Sequence, residues 1–410
     1  MRGVTLLSDP PAIELPALAL LLLLGAPGSG RAAFAARHFS ADEVFDARHF
    51  PDGEALRAAV AARLAAGGLA VMIAPLARPV ERAPWAALAR EQDVRAAAVI
   101  LDEPRAVLEA RVGDRVPPGE LAAQIAELRR TAGGLRAEGF RQAWLLRGET
   151  QITGVPVRRV PLRVDRRDLT GPFDLIGDVH GCLDELRALL RRLGYGLDGN
   201  AVSPPAGRTA VFLGDLVDRG PDSAGVLRLV MGMVASGAAL CVPGNHDEKL
   251  ARALSGKAVK ALHGLDVTLE QVAAGGPAFQ AQVRTFIEGL PSHLLLDGGR
   301  LVAAHGGLPA HYHGRTSGRA RSFALYGDTT GERDDLGLPV RRDWAAGYAG
   351  EVLVVYGHTP HAAPRWVGNT VNIDTGCAFG GALTALRYPE RDTLSVPARA
   401  TYAPPPRPLP

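Results

Sequence analysis

The sequence predicts two α/β domains in tandem, and three observations carry that expectation. Residues 15–150 alternate short apolar strands with helical stretches, the pattern of a parallel sheet flanked by helices. Residues 151–171, with "GVPVRRVPLRVDRRDLTGP", are rich in Arg and Pro and read as a linker. Over residues 172–398 a second α/β pattern follows, in which five apolar strands each end in a glycine-flanked polar cluster. Residues 399–410, with "APPPRPLP", hold too much proline for a regular element and read as an exposed extended tail.

A chain of 410 residues with 47% apolar content is long enough for two or three buried cores. Its formal net charge of +3 does not by itself argue for nucleic acid. Lys249, Lys257 and Lys260 are the only lysines, so 43 of the 46 basic residues are arginine. With so much Ala, Gly and Leu, this reads as GC-rich coding rather than as a surface selected for phosphate contacts. Cys182, Cys241 and Cys377 are widely spaced, form no CxxC and suit a reducing, cytoplasmic compartment. Arg2 and the apolar run Leu15–Leu24 imitate a secretory signal, but Asp9, Pro10, Pro11 and Glu14 intervene, and the run is half a membrane span. It is expected to be a buried strand, and no membrane contact is expected.

That strand leads into "GAPGSGRAAF", Gly25 to Phe34. A strand followed by Gly, four residues and Gly is the frame of a phosphate-binding P-loop, which continues with Lys and then Ser or Thr. Gly25, Gly28 and Gly30 keep the frame, while Arg31 and Ala32 stand in the other two places. Further on, "GLAVMIAP", "AAAVILDEP" and "QAWLLRGE" read as short buried strands. Between them "GEALRAAVAARLAAG" and "PGELAAQIAELRRTAGGLRAEG" carry helical spacing.

Five motifs after residue 172 carry chemistry. "FDLIGDVHG" ends a strand with Asp178 and His180, and "AVFLGDLVDRG" ends another with Asp215, Asp218 and Arg219. "ALCVPGNHDE" supplies Asn245 and His246, "LVAAHGG" supplies His305, and "VLVVYGHTP" supplies His358. One such strand end is most often a turn with a satisfied side chain. Five in this order, aimed by rigid strands, form a site of mixed oxygen and nitrogen donors. Such donors suit Mn²⁺, Fe, Ni²⁺ or Zn²⁺ better than Mg²⁺ or Ca²⁺.

The set GD-x-HG, GD-xx-DRG, GNHD, HGG and GHTP resembles the calcineurin-like metallophosphoesterases, in their phosphoprotein-phosphatase branch. The resemblance implies an α/β sandwich and two divalent metal ions, with manganese the first expectation and nickel or iron open. It implies that Asp178, His180 and a bridging Asp215 hold one ion. Asp215, Asn245, His305 and His358 would hold the other. Paired metals lower the pKa of a water towards about 7 and neutralise phosphoryl charge. His246 is then implied as general acid, Asp218 as the group that orients it, and Arg219 as the phosphate clamp. Asp374, in "VNIDTGC", either faces the site or caps a turn. Lys249 and the arginines Arg315, Arg319 and Arg321 are candidate phosphate contacts. The remaining histidines, His38, His49, His263, His293, His311, His313 and His361, read as ordinary surface or core residues.

Longer stretches, "GPFDLIGDVHGCLDELRALLRRLGY" and "NIDTGCAFGGALTALRYPE" among them, look like the central domain of bacterial polynucleotide kinase-phosphatases. This resemblance is strong over residues 172–398 and weaker over 17–150, and no counterpart of that family's ligase appears. It implies a 2′,3′-cyclic phosphodiesterase and 2′- and 3′-phosphatase for nucleic-acid ends, RNA favoured, with a separate ligase or RNA methyltransferase as partner. Two other phosphoesterase readings stay open, hydrolysis of dinucleoside tetraphosphates and of phosphoproteins. A non-enzymatic repair scaffold is the alternative from another class. The kinase of that family needs the P-loop Lys and Ser and a catalytic Asp. Arg31, Ala32 and Arg48 occupy those positions here, and of its lid only Arg111 and Arg115 persist. The N-terminal domain is therefore expected to be an inactive, P-loop-kinase-like relic.

Overall fold

The computed structural model describes residues 12–199, 201–260, 262–335, 337–405 and 408–409. The Arg2 to Pro11 part of the secretory-signal reading lies outside these residues. Two units form, one reaching to Leu162 and including Arg315–Ser317, the other built from the remainder of the chain from Arg163 onward.

In the first unit the strand Ala19–Gly25 is buried at every position because helices cover both faces of its sheet. Leu20, Leu22 and Leu24 enter one core cluster, and Leu21 and Leu23 enter the other. That period of two explains why the strand reads as unbroken leucine; each buried leucine contributes about 1.5–3 kcal/mol. The five strands run in the order Val44–Asp46, Ala70–Ile73, Ala19–Gly25, Arg95–Asp102 and Phe140–Arg147, all parallel. The expected helices appear at Gly53–Ala65 and Pro118–Thr131, the first capped by Asp52. The long second stretch breaks before a separate turn of helix at Leu135–Glu138, where two glycines interrupt it. Pro16 ends a short strand, Ile13–Pro16, before the leucine run resumes at Ala19. Arg315 also belongs to this unit: its guanidinium donates to the carbonyls of Leu64 and Gln92, so it is no contact for a substrate of the other unit.

The segment 151–171 is more ordered than a linker. Val157–Val160 pairs in parallel with Ile13–Pro16, and Asp165–Arg166 pairs with Leu295–Leu296. The Arg- and Pro-rich composition hid these short pairings, because edge strands tolerate both residue types.

In the second unit two sheets stack. One has the order Ala239–Cys241, Thr209–Phe212, Phe173–Ile176, Ala382–Tyr388 and Asp392–Pro397. The other runs Arg365–Val367, Thr370–Asn372, Leu353–Tyr356, Leu301–Ala304, His293–Leu296 and Asp165–Arg166. Leu175 and Val211 face Leu301, Val355 and Val371 between the sheets, while Ile176 and Phe212 face the helices outside. The unit is an α/β sandwich. No helix among the described residues is long and apolar enough to cross a membrane.

Part of the proline-rich tail docks. Arg399 N–H and the Tyr402 hydroxyl both donate to Glu185 Oε1, at 2.9 and 2.7 Å, and Ala403 N–H donates to the Ala378 carbonyl at 3.0 Å. Glu185 sits in the first turn of the helix Leu183–Arg192, directly after the His180 loop. Tyr402 gives the tail an apolar ring with a polar tip, and this outweighs the surrounding prolines.

Candidate active site

Six strands of the sandwich hand their first loop residues to one place. Phe173–Ile176 runs into Asp178, Thr209–Phe212 into Asp215, and Ala239–Cys241 into Asn245 and His246. Leu301–Ala304 runs into His305, Leu353–Tyr356 into His358, and Thr370–Asn372 into Asp374. The loops bend sharply: His180, Asp215, Asp218, Arg219 and His358 all have φ between 45° and 73°. Non-glycine residues adopt that region at a cost of order 1–3 kcal/mol each, and such strain gathers where geometry serves a site. Two motif glycines are required for space. A Cβ on Gly244 would stand 2.0 Å from Asp215 Oδ1, and one on Gly357 would stand 2.0 Å from Asp178 Oδ1.

Hydrogen bonds fix the imidazole tautomers. His180 Nδ1 lies 2.9 Å from the Val217 carbonyl, and His305 Nδ1 lies 3.0 Å from the Leu213 carbonyl. A carbonyl only accepts, so each ring carries its proton on Nδ1 and presents a bare lone pair at Nε2. Burial keeps both rings neutral, with Arg219 adding to the effect at His180. His305 Nε2 faces Asn245 Oδ1 at 3.1 Å, Asp215 Oδ1 at 3.4 Å and His358 Nδ1 at 2.9 Å. His180 Nε2 lies 3.5 Å from Asp215 Oδ2, and His358 Nε2 is buried without a hydrogen-bond partner.

Lone pairs turned onto lone pairs, with ring N–H groups anchored to backbone carbonyls behind them, are the donor set of a divalent cation. Ligand atoms of Asp215, His305 and His358 lie within 4.8 Å of one another, as do those of His180, Asp215 and His246. Asp215 belongs to both groups, as a bridging ligand must. Burial opposes its ionisation, while the His246 backbone N–H, which donates to its Oδ1 at 2.9 Å, favours the ionised form. Asp178 stands beside these groups, accepting the His358 N–H at 3.1 Å on Oδ2. Burial, with Asp374 and Asp215 close by, raises the Asp178 carboxyl well above its ordinary value, and burial brings Asp374 to about 6. Asp374 does both things the sequence allowed: it lies against Asp178, and its Oδ1 caps the turn by accepting the Gly376 N–H at 3.0 Å.

His246, Asp218 and Arg219 form a second constellation beside the first. His246 Nδ1 and Asp218 Oδ2 are 2.6 Å apart, and Thr268 Oγ1 donates to Asp218 Oδ1 at 2.7 Å. The carboxylate thereby fixes the ring and leaves Nε2 facing the site. Arg219 spans both centres, its Nη1 2.6 Å from His180 Nε2 and its Nη2 3.2 Å from His246 Nε2. Phe379 backs the guanidinium, with its centroid 4.8 Å away.

The weaker candidates are occupied elsewhere. Lys249 Nζ donates to the Leu262 carbonyl at 3.3 Å, and Arg321 Nη2 is paired to Glu248 Oε2 at 2.5 Å. Other residues take places that their sequence positions did not announce. Asp247 accepts the Leu216 and Gly244 N–H groups at 3.0 and 2.8 Å, tying two site loops together. It stood inside GNHD, and the motif was the signal. His263, read as ordinary, has its ring 6.2 Å from that of His246. Arg341 is buried enough to lower its pKa, with Asp215 the main opposing charge, and it weighs on His305 and His358. Nothing around Arg341 in "GLPVRRDW" marked it.

A family model described as calcineurin-like phosphoesterase matches residues 171–383, more than half of the chain. The chain belongs to the calcineurin-like phosphoesterases. A second model, described as AAA domain, matches residues 20–133. The chain is 50% identical over 236 residues to the bis(5′-nucleosyl)-tetraphosphatase PrpE [asymmetrical] of Geobacillus thermodenitrificans, spanning 57% of this chain and 96% of that one. The protein of the same name from Bacillus subtilis is 47% identical over 234 residues, 56% of this chain and 96% of its own. A solved serine/threonine phosphatase from Saccharomyces cerevisiae is 15% identical, with a TM-score of 0.41 over 58% of this chain and 83% of its own. This calcineurin-like phosphoesterase is a metal-dependent phosphoester hydrolase of a family that works through a binuclear divalent centre. The donor set around Asp215 fits that requirement.

Proposed function

We propose that this calcineurin-like phosphoesterase hydrolyses bis(5′-nucleosyl) tetraphosphates off-centre, leaving a one-phosphate and a three-phosphate nucleotide. The observation that carries this reading is the 50% identity across nearly the whole length of a tetraphosphatase of that specificity. It moves the preferred substrate from nucleic-acid ends to a dinucleotide, one of the readings the sequence left open.

Asp178, His180 and Asp215 would hold one divalent ion, and Asp215, Asn245, His305 and His358 the other, with manganese the expected metal. Bound there, the ions supply acidified water and neutralise phosphoryl charge during in-line displacement. The chain's own residues do the rest. Arg219 leaves the lone pairs of His180 and His246 and grips phosphoryl oxygens with its two-pronged donor set. His246, charged and held by Asp218, delivers a proton from Nε2 to the oxygen leaving phosphorus. Asp218 stabilises that imidazolium, while Thr268 keeps the carboxylate in line. Arg341 adds positive charge where a four-phosphate chain brings several negative ones.

The test compares diadenosine tetraphosphate, an RNA ending in a 2′,3′-cyclic phosphate, and a phosphopeptide, with the full chain in Mn²⁺. The expected result is a kcat/KM at least tenfold higher for the tetraphosphate, with nucleoside monophosphate and nucleoside triphosphate produced in equal amounts. Preference for the cyclic end overturns this reading in favour of end healing. His180→Ala is expected to abolish all three activities.

A further inference from the structure

A further group of metal-ligating atoms is buried in the second unit, and none of its residues enters the donor set around Asp215. Cys182, Glu185 and Cys377 are 0%, 1% and 2% exposed, and their two sulfurs and a carboxylate oxygen lie within 4.8 Å of one another. Cys182 caps the helix Leu183–Arg192, which carries Glu185 in its first turn, and Cys377 follows the Asp374 turn. Both cysteines are free, and Cys182 Sγ makes a weak contact with the His180 carbonyl at 3.6 Å. The two oxygens of Glu185 differ sharply. Oε1 accepts from the Arg399 N–H and the Tyr402 hydroxyl, whereas Oε2 is closed to solvent and has no hydrogen-bond partner among the described residues.

Two buried thiols alone need no explanation, since free cysteine packs as a small apolar side chain. A carboxylate oxygen with neither water nor donor does need one, because its desolvation goes unanswered unless a cation meets it. The Arg399 guanidinium does not meet it, being paired with Asp184. Two sulfurs and a carboxylate oxygen are a donor set for zinc, which binds thiolate at about 2.3 Å and carboxylate at about 2.0–2.2 Å. In a tetrahedron those lengths put ligand atoms about 3.5–3.8 Å apart. A cluster spanning at most 4.8 Å needs only a small contraction to reach that spacing. The soft sulfur donors also set this group apart from the phosphoesterase centre, whose donors are oxygen and nitrogen.

We propose that Cys182, Glu185 and Cys377 bind one Zn²⁺ ion, separate from the phosphoesterase pair and without part in hydrolysis. Each thiol releases its proton to solvent as its zinc–sulfur bond forms, so one dication replaces two protons. The ion ties the loop after Phe173–Ile176 to the turn after Thr370–Asn372, and the tail holds its carboxylate ligand by the other oxygen.

The full chain is produced in cells supplied with Zn²⁺, so that the ion is present as the chain folds, then dialysed against excess Mn²⁺ and analysed for elements. One equivalent of zinc per chain is expected to remain. Cys182→Ser and Cys377→Ser are expected to lose it, and Cys241→Ser, whose sulfur lies outside the cluster, to keep it. Glu185→Gln keeps the side chain's shape and its Oε1 acceptor, and is expected to retain at least threefold less zinc. Chain produced with Cd²⁺ instead is expected to show thiolate-to-metal charge-transfer absorption in the near ultraviolet, in wild type and Cys241→Ser alone. Zinc missing from wild type, or kept equally by Cys377→Ser or Glu185→Gln, overturns the proposal. Absence of the charge-transfer band from the wild-type cadmium protein overturns it too, whether or not any variant folds.

Discussion

His246 Nδ1 and Asp218 Oδ2 lie 2.6 Å apart, and both side chains are buried, Asp218 completely. A buried carboxylate against an imidazole stabilises the ring's charged form and fixes which nitrogen faces the reaction. Asp218→Asn keeps the shape and removes the charge. We expect kcat to fall about 100-fold on a tetraphosphate, the scale of a lost general acid, with KM little changed. An alkyl phosphate, whose alkoxide leaving group needs the proton more than a polyphosphate does, is expected to suffer a larger loss. Equal losses on both substrates would rule out the proton-delivery role.

Gly357 lets the Asp178 carboxylate lie where a side chain would stand, with Oδ1 2.0 Å from the ideal Cβ. Gly357→Ala must push that carboxylate aside. The expected outcome is a loss of at least one equivalent of Mn²⁺ by elemental content, and a fall in activity of tenfold or more. Circular dichroism is expected to stay unchanged, because the clash is with one carboxylate rather than with a sheet. Full metal content and activity in the variant would place Asp178 outside the centre.

His293 is wholly buried between Ser292 Oγ, 3.2 Å from its Nδ1, and the Gly314 N–H, which donates to its Nε2 at 3.1 Å. Burial, with a smaller push from His313, lowers its pKa to about 3. The folded chain therefore refuses a proton that the unfolded chain takes up near the ordinary pKa of about 6.5. Stability from this group is complete above about pH 6.5 and is lost as pH falls from there towards 3, by about 1.4 kcal/mol per unit at most. Denaturant unfolding of wild type and His293→Gln between pH 7 and 5 reads the difference. The variant's stability is expected to fall less steeply, and identical slopes would refute the assignment.

The first unit is expected to transfer no phosphate from ATP to a 5′-hydroxyl oligonucleotide. Ala32 offers no hydroxyl to a magnesium ion, and Asp46, a carboxylate beside the Gly25–Gly30 loop, is clamped by Arg48. Radiolabelled ATP with the full chain checks this, and label appearing on the oligonucleotide in an Arg31-dependent manner would contradict it.

Much of this was legible because strand ends and glycines advertise themselves. Asp178, Asp215, Asn245, His305 and His358 each follow an apolar strand, and the structure brings all five together. The leucine run betrayed its strand, since only a sheet covered on both faces buries every side chain. What stayed hidden depends on distance in three dimensions. Thr268 and Arg341 reach the site from segments with no motif of their own, and Arg315 sits in the first unit although its sequence neighbours do not. Lys249 and Arg321 were picked for charge alone, and charge does not reveal that Leu262 and Glu248 already hold them. The linker and tail were judged by composition, which cannot foresee a two-residue pairing or one docked tyrosine.

The clasp of Arg399 and Tyr402 on Glu185 also bears on the order in which the protein is made. The helix it steadies follows the His180 loop, yet its partners are separated from it by more than two hundred residues, at 217 for Glu185 and Tyr402. A ribosome delivers the part of the first unit up to Leu162 early enough for it to begin folding while synthesis continues. The loop that carries His180 emerges long before the residues that brace its helix. The helix behind the His180 loop therefore gains this brace only once residues 399–402 have been made.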